Sequence, residues 1–123
     1  MNFHNQMAIY LQIAEYIGEQ VLAQKLVPDD KVPSIRELAV QLEVNPNTVQ
    51  RTYDFLQTQE VIFTKRGLGY FVAPNAPANY LNWRRAQFVT HELPLFFKQI
   101  NLLQLNFDQL KAQYETFINP IKA

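Results

Sequence analysis

Apolar side chains at Ile9, Ile13, Tyr16, Ile17, Val21 and Leu22 recur every three or four residues, which places them on one side of a helix. A first helix over about residues 7–24 is expected, with Gly18 as its one internal breaker. The same spacing returns at Ile35, Leu38, Ala39 and Leu42, and again at Val49, Tyr53 and Leu56, predicting two shorter helices. The period then changes. Val61-Ile62-Phe63 and Tyr70-Phe71-Val72 are β-branched and aromatic runs, and residues 64–69 between them carry two glycines and two bases, as a hairpin tip would.

Capping chemistry fixes where the second and third helices start. Ser34 and Glu37 stand three apart, the spacing of a capping box, and Arg36 lies in the exposed first turn that follows. Asn45 supplies a second N-cap, and Pro46 occupies N1, where its missing N–H would have had no intrahelical partner. At 100° per residue, the core side defined by Val49, Tyr53 and Leu56 leaves Asn47, Gln50, Arg51 and Asp54 facing outward. Asn and Gln can pair bidentately with adenine, and Arg with guanine, so this face suits base edges. Asp54 does not suit phosphates; it lies beyond the groove or orients a basic neighbour. In the hairpin, Gly67 and Gly69 permit positive φ, and Lys65 and Arg66 would sit at phosphate height. Three helices followed by a basic hairpin make a winged helix-turn-helix, expected over residues 1–73.

Residues 74–78 are punctuated by Pro74 and Pro77 and read as a linker. Residues 79–123 are too few for an independent core, yet they hold many large apolar side chains. One helix is expected to about residue 101, bent near Pro94, and a second from an N-cap at Asn106. Tyr80, Trp83, Phe88, Phe96, Phe97, Leu110, Tyr114 and Phe117 are the candidate surface for pairing with a second copy. Trp83 beside Arg84 and Arg85 is read as an interface aromatic flanked by solvated bases, in preference to a ligand-gripping site.

Composition narrows the remaining classes. With 123 residues and 48% hydrophobic content, disorder is not expected. The absence of cysteine excludes disulfide scaffolds, thiol nucleophiles and cysteine-ligated zinc. No apolar run is long enough to span a bilayer and no signal sequence opens the chain, so a cytoplasmic location without membrane contact is expected. His91 and Glu92 are adjacent and cannot converge from one helical face, and His4 stands alone, so no metal site and no catalytic residue are assigned. Net charge is zero, and residues 1–73 hold six basic against eight acidic side chains. That acidic excess keeps open a second reading, a protein-interaction or ligand-sensing adaptor. Placement favours DNA: Arg36, Arg51, Lys65 and Arg66 map to the second helix, the exposed face and the hairpin.

Residues 7–73 resemble the GntR-type bacterial transcription regulators. The resemblance is carried by Ile9-Tyr10-Leu11-Gln12-Ile13, by residues 32–39 (Val-Pro-Ser-Ile-Arg-Glu-Leu-Ala), by residues 44–49 (Val-Asn-Pro-Asn-Thr-Val), and by residues 67–72 (Gly-Leu-Gly-Tyr-Phe-Val). It implies operator contacts at Arg36, Asn45, Asn47, Thr48 and Gly67; with Ser34, Gln50, Arg51, Lys65, Arg66 and Gly69 these form the candidate DNA-binding set. Two departures stand out: Glu43 replaces the family's turn glycine, and Asp29 replaces a glycine before the second helix. A left-handed backbone at Glu43 would carry strain. The short tail resembles the YtrA-like subfamily, whose members dimerise through it, which implies a homodimer. The residues are too few for the effector-binding or aminotransferase-like domains of other branches, so no PLP or other cofactor is expected, and repression by occluding polymerase is the default expectation. A small-molecule effector stays open. The expected fold is mainly α with a small β-hairpin: a winged helix-turn-helix followed by a two-helix C-terminal dimerisation extension.

Overall fold

The computed structural model describes residues 7–120, so His4 lies outside the described residues. The order of elements is α1 (Ile9–Leu22), α2 (Ile35–Leu42), α3 (Pro46–Thr58), β1 (Ile62–Lys65), β2 (Gly69–Val72), α4 (Ala76–Gln87), a π-helical turn (Phe88–Glu92), α5 (Leu93–Leu102) and α6 (Phe107–Ile118). They fall into two compact units, residues 1–84 and residues 85–123.

In the first unit α3 packs against α1, α2 and β1. Ile13, Ile17 and Val21 of α1, Leu38 of α2, and Val49, Tyr53 and Leu56 of α3 share one buried cluster with Val61, Ile62 and Val72. The helical periodicity had placed these side chains on one face, and burying that face is the main force holding the helices together. Tyr53 is fully enclosed, and its hydroxyl donates to the Pro33 carbonyl at 2.6 Å, so burial leaves no polar atom unpaired. Burial pushes its hydroxyl pKa well above the ordinary tyrosine range.

The strands pair antiparallel with Phe63 opposite Phe71 and Lys65 opposite Gly69. The Leu68 N–H donates to the Lys65 carbonyl at 2.9 Å, closing a turn whose third residue, Gly67, has φ +76°. Residues 29–32 line the free edge of β2: the Asp29 N–H donates to Val72 and the Val32 N–H to Tyr70, at 2.8 and 3.0 Å. That edge is therefore covered on the protein side, a pairing that sequence period did not signal.

Both family glycines that this chain lacks fall at left-handed positions. Glu43 closes α2 with φ 55° and ψ 49°, and Asp29 has φ 72°. The inter-helix turn keeps its geometry and Glu43 carries the strain. Glu43→Gly is expected to raise stability by about 1 kcal/mol, read as a higher thermal midpoint, because left-handed backbone costs a side-chain-bearing residue roughly that much.

The segment after the wing differs from expectation. Residues 74–78 are not a linker: Ala73 and Ala76 are buried, and α4 begins at Ala76. Tyr80 is 2% exposed and closes over Gly18 of α1, where a Cβ would overlap its ring. Trp83 packs edge-on against Phe55 at 4.9 Å, and Arg84 pairs with Glu15 at 3.1 Å. Tyr80 is thus core of the first unit, and Trp83 is half-buried against it rather than turned out to a partner or ligand. The compact unit runs to residue 84, eleven past the expected boundary at residue 73.

Tyr80 also makes stability sensitive to alkali. Burial, aided by Glu15 and partly opposed by Arg84, pushes its hydroxyl pKa from 10.0 to about 12. Its neutral form is favoured in the folded state, so its contribution is complete below pH 10 and is lost as pH rises toward 12. A thermal-midpoint profile from pH 9 to 12 should fall more steeply for the wild type than for Tyr80→Phe.

In the second unit, the π-helical turn Phe88–Glu92 immediately precedes α5, whose second residue is Pro94. Proline at 94 can donate no hydrogen bond to the preceding turn, and the widened turn accommodates the gap. Asn106 caps α6 by accepting from the Asp108 N–H at 2.7 Å. No residue of α5 or α6 is buried.

Candidate nucleic-acid interface

The start of α2 is built as its sequence anticipated. Ser34 Oγ accepts from the Glu37 N–H, and Glu37 Oε1 accepts from the Ser34 N–H, both at 3.1 Å. Those hydrogen bonds hold the Glu37 carboxyl below its ordinary pKa, so the cap is intact at neutral pH. Ser34 is thereby a positioning group whose hydroxyl serves the helix. Arg36, one residue inside, is exposed.

Asn45 Oδ1 accepts from the Asn47 N–H at 2.8 Å, capping α3 and leaving the Asn45 amide NH2 outward. Asn47, Gln50, Arg51 and Asp54 are all exposed, whereas Val49, Thr52 and Tyr53 are buried. Thr48 is half-buried and its N–H donates to the Asn45 carbonyl at 2.9 Å. The outward face is therefore the one expected.

One detail within that face was open, the role of Asp54. Gln50 Nε2 donates to Asp54 Oδ1 at 2.9 Å, so Asp54 orients Gln50 and not Arg51. The Arg51 guanidinium lies over the Tyr10 ring, 3.9 Å from its centroid. Tyr10 enters the site from α1, forty-one positions away in the chain. Periodicity gives no sign of such a pairing.

The wing departs from expectation at one residue. Lys65 turns back onto Asp29 at 2.7 Å and over the Phe71 ring at 4.1 Å, so it does not stand at the tip. Opposite charge and an aromatic face hold it there. Arg66, Gly67 and Leu68 are exposed at the turn. Gly69 has φ +115°, a backbone that favours glycine, and a Cβ there would come within 3.2 Å of the flexible Lys31 stem.

The tail presents the apolar surface anticipated for it. Phe88, Phe96, Phe97, Tyr114 and Phe117 are 44–79% exposed, while Leu110 is half-buried. Among the described residues no group of three potential metal ligands gathers, and no helix is long and apolar enough to cross a membrane.

Comparison with known proteins places this architecture. Residues 9–72 match the family described as bacterial regulatory proteins, gntR family. YhcF, an uncharacterized HTH-type transcriptional regulator of Bacillus subtilis, is 36% identical over 115 residues, covering 94% of this chain and 93% of YhcF. The transcriptional repressor YtrA of the same organism is 43% identical over 68 residues, 55% of this chain and 52% of YtrA. A GntR-family regulator from Bacteroides thetaiotaomicron superposes with a TM-score of 0.73 at 41% identity, covering 91% of this chain and 97% of the other. The DNA-binding domain of AraR, solved in complex with operator ORR3, superposes with a TM-score of 0.54 at 29% identity over 59% of this chain and 88% of its own. Its matched residues and the winged helix-turn-helix they build make this chain a member of the GntR family of transcriptional regulators, DNA-binding proteins and not enzymes.

Proposed function

We propose that this regulator is a cytoplasmic repressor that binds an inverted-repeat operator as a homodimer and blocks access of polymerase. The observation that carries the reading is the exposed polar face of α3, with Asn47 and Gln50 outward on a helix capped and fixed at its start. Base-edge recognition needs such donors and acceptors at the N-terminal half of a recognition helix. AraR, which shares the domain fold, is solved with its operator, and YtrA is described as a repressor. Arg36, Asn45, Asn47, Thr48 and Gln50 take the major-groove side in this reading; Arg66 and Gly67 take the wing side, with Lys65 recruited only if its pair with Asp29 opens.

The tail supports the dimer. Its exposed aromatics would be a liability on a lone subunit, and a second copy hides them while matching the twofold symmetry of a palindromic site. Phe88, Phe96, Phe97, Leu110, Tyr114 and Phe117 form the pairing surface, in the manner of the YtrA-like subfamily. Sedimentation of the protein with a selected duplex should give two protomers per duplex, and a dimer at the same concentration without DNA. A one-to-one complex from a monomer would contradict the homodimer.

A further inference from the structure

We infer that Arg51 grips a phosphate of the DNA backbone rather than a base, and that Tyr10 is the residue that positions it there. This rests on the DNA-binding reading above and adds to it a residue outside the helix-turn-helix. The guanidinium face is covered by the Tyr10 ring at 3.9 Å, so its edge N–H groups are what a ligand can reach. An exposed arginine elsewhere would sample many rotamers; this one is stacked on a ring that is itself fixed. The Tyr10 ring meets Phe55 edge-on at 6.2 Å, and its backbone carbonyl accepts from the buried Thr52 hydroxyl at 2.7 Å. Two contacts to α3 thus hold the platform on which an α3 side chain rests.

Stacking also decides what Arg51 can touch. It draws the side chain toward the beginning of α1, where Ala8, Ile9 and Tyr10 border an open cleft of about 330 Å³ together with Asn45, Asn47, Thr48 and Arg51. Asn47, one turn earlier on α3, is exposed and is not stacked on the ring, which in this inference leaves it for the bases. A helix seated in the major groove is flanked by backbone on both sides, and a planar guanidinium offering its edge suits a phosphate bidentately. Arg51 and Tyr10 therefore set affinity and register, and Asn47 and Gln50 carry sequence.

The test measures binding by the full chain to the selected operator duplex and to a random duplex, across a salt series. A phosphate contact acts on both duplexes, so this inference is tested even where sequence preference fails. Arg51→Ala is expected to weaken both by the same factor and to reduce the slope of log K against log salt by about 0.9 for each protomer. Tyr10→Leu should weaken both duplexes several-fold, Tyr10→Phe should bind as wild type, and Tyr10→Leu added to Arg51→Ala should cost nothing further. Thermal midpoints of all variants are read alongside; a merely structural role for Tyr10 would lower the midpoint and add to the Arg51→Ala loss. Additive losses, or an Arg51→Ala variant that relaxes one base position with the salt slope unchanged, would overturn the inference.

Discussion

Gly18→Ala should destabilise the protein by about 2–3 kcal/mol, despite replacing a helical glycine with the best helix former. In a free helix the exchange would gain about 1 kcal/mol. Here the added methyl collides with the Tyr80 ring, which is buried at 2% exposure and also meets the Trp83 ring, at 5.9 Å between centroids. The ring cannot swing away without exposing the first unit's core. Tyr80→Ala alone should cost about 3–5 kcal/mol, the usual range for deleting a buried aromatic side chain. In that background Gly18→Ala should become neutral or favourable. Urea denaturation of the four proteins closes this cycle. If Gly18→Ala costs the same with and without the ring, the α1–α4 packing described for this unit is wrong.

The second large effect concerns DNA. Asn47→Ala is expected to lose about 1–3 kcal/mol of binding to the preferred sequence and to relax the preference at one base position in each half-site. Arg36→Ala should weaken binding as well, and the pattern identifies its partner: equal loss on all sequences marks a phosphate contact. Neither side chain contributes to the core, since both are exposed. Thermal midpoints close to wild type are therefore expected, which separates lost recognition from lost folding. Fluorescence anisotropy on the selected duplex and on single-base variants of it measures both. If Asn47→Ala binds every variant as the wild type does, α3 does not read bases through that residue.

What the chain disclosed about itself follows the range of the forces involved. Caps are local: Ser34 with Glu37, and Asn45 with Pro46, act within four residues, and both helix starts fall where they were expected. The strain at Glu43 was equally legible, since it needs only the knowledge that a turn there is left-handed. The outward face of α3 followed from 3.6-residue periodicity and the burial of Val49, Tyr53 and Leu56.

Long-range partnerships were not legible. Apolar side chains after the wing signal that they need a covering surface, but not whose surface. Tyr80 and Trp83 find theirs on Gly18 and Phe55 of the same unit, while Phe96 and Phe117 remain exposed. Periodicity marks Gly18 only as an internal breaker of α1, and its lack of a side chain is what admits the Tyr80 ring. Lys65 and Arg66 are adjacent bases with the same apparent role, separated only by Asp29, which reaches the first and not the second. Arg51 on Tyr10 is the same kind of case. Charge and spacing nominate a residue, and a neighbour distant in sequence decides where it points.

Selection of bound fragments from a pool of random DNA tests the central claim most directly, because it assumes neither an operator nor a regulated gene. The account predicts enrichment of one twofold-symmetric sequence, each half contacted by one recognition helix. A pool that stays random through successive rounds, or an enriched site without an internal repeat, would contradict it.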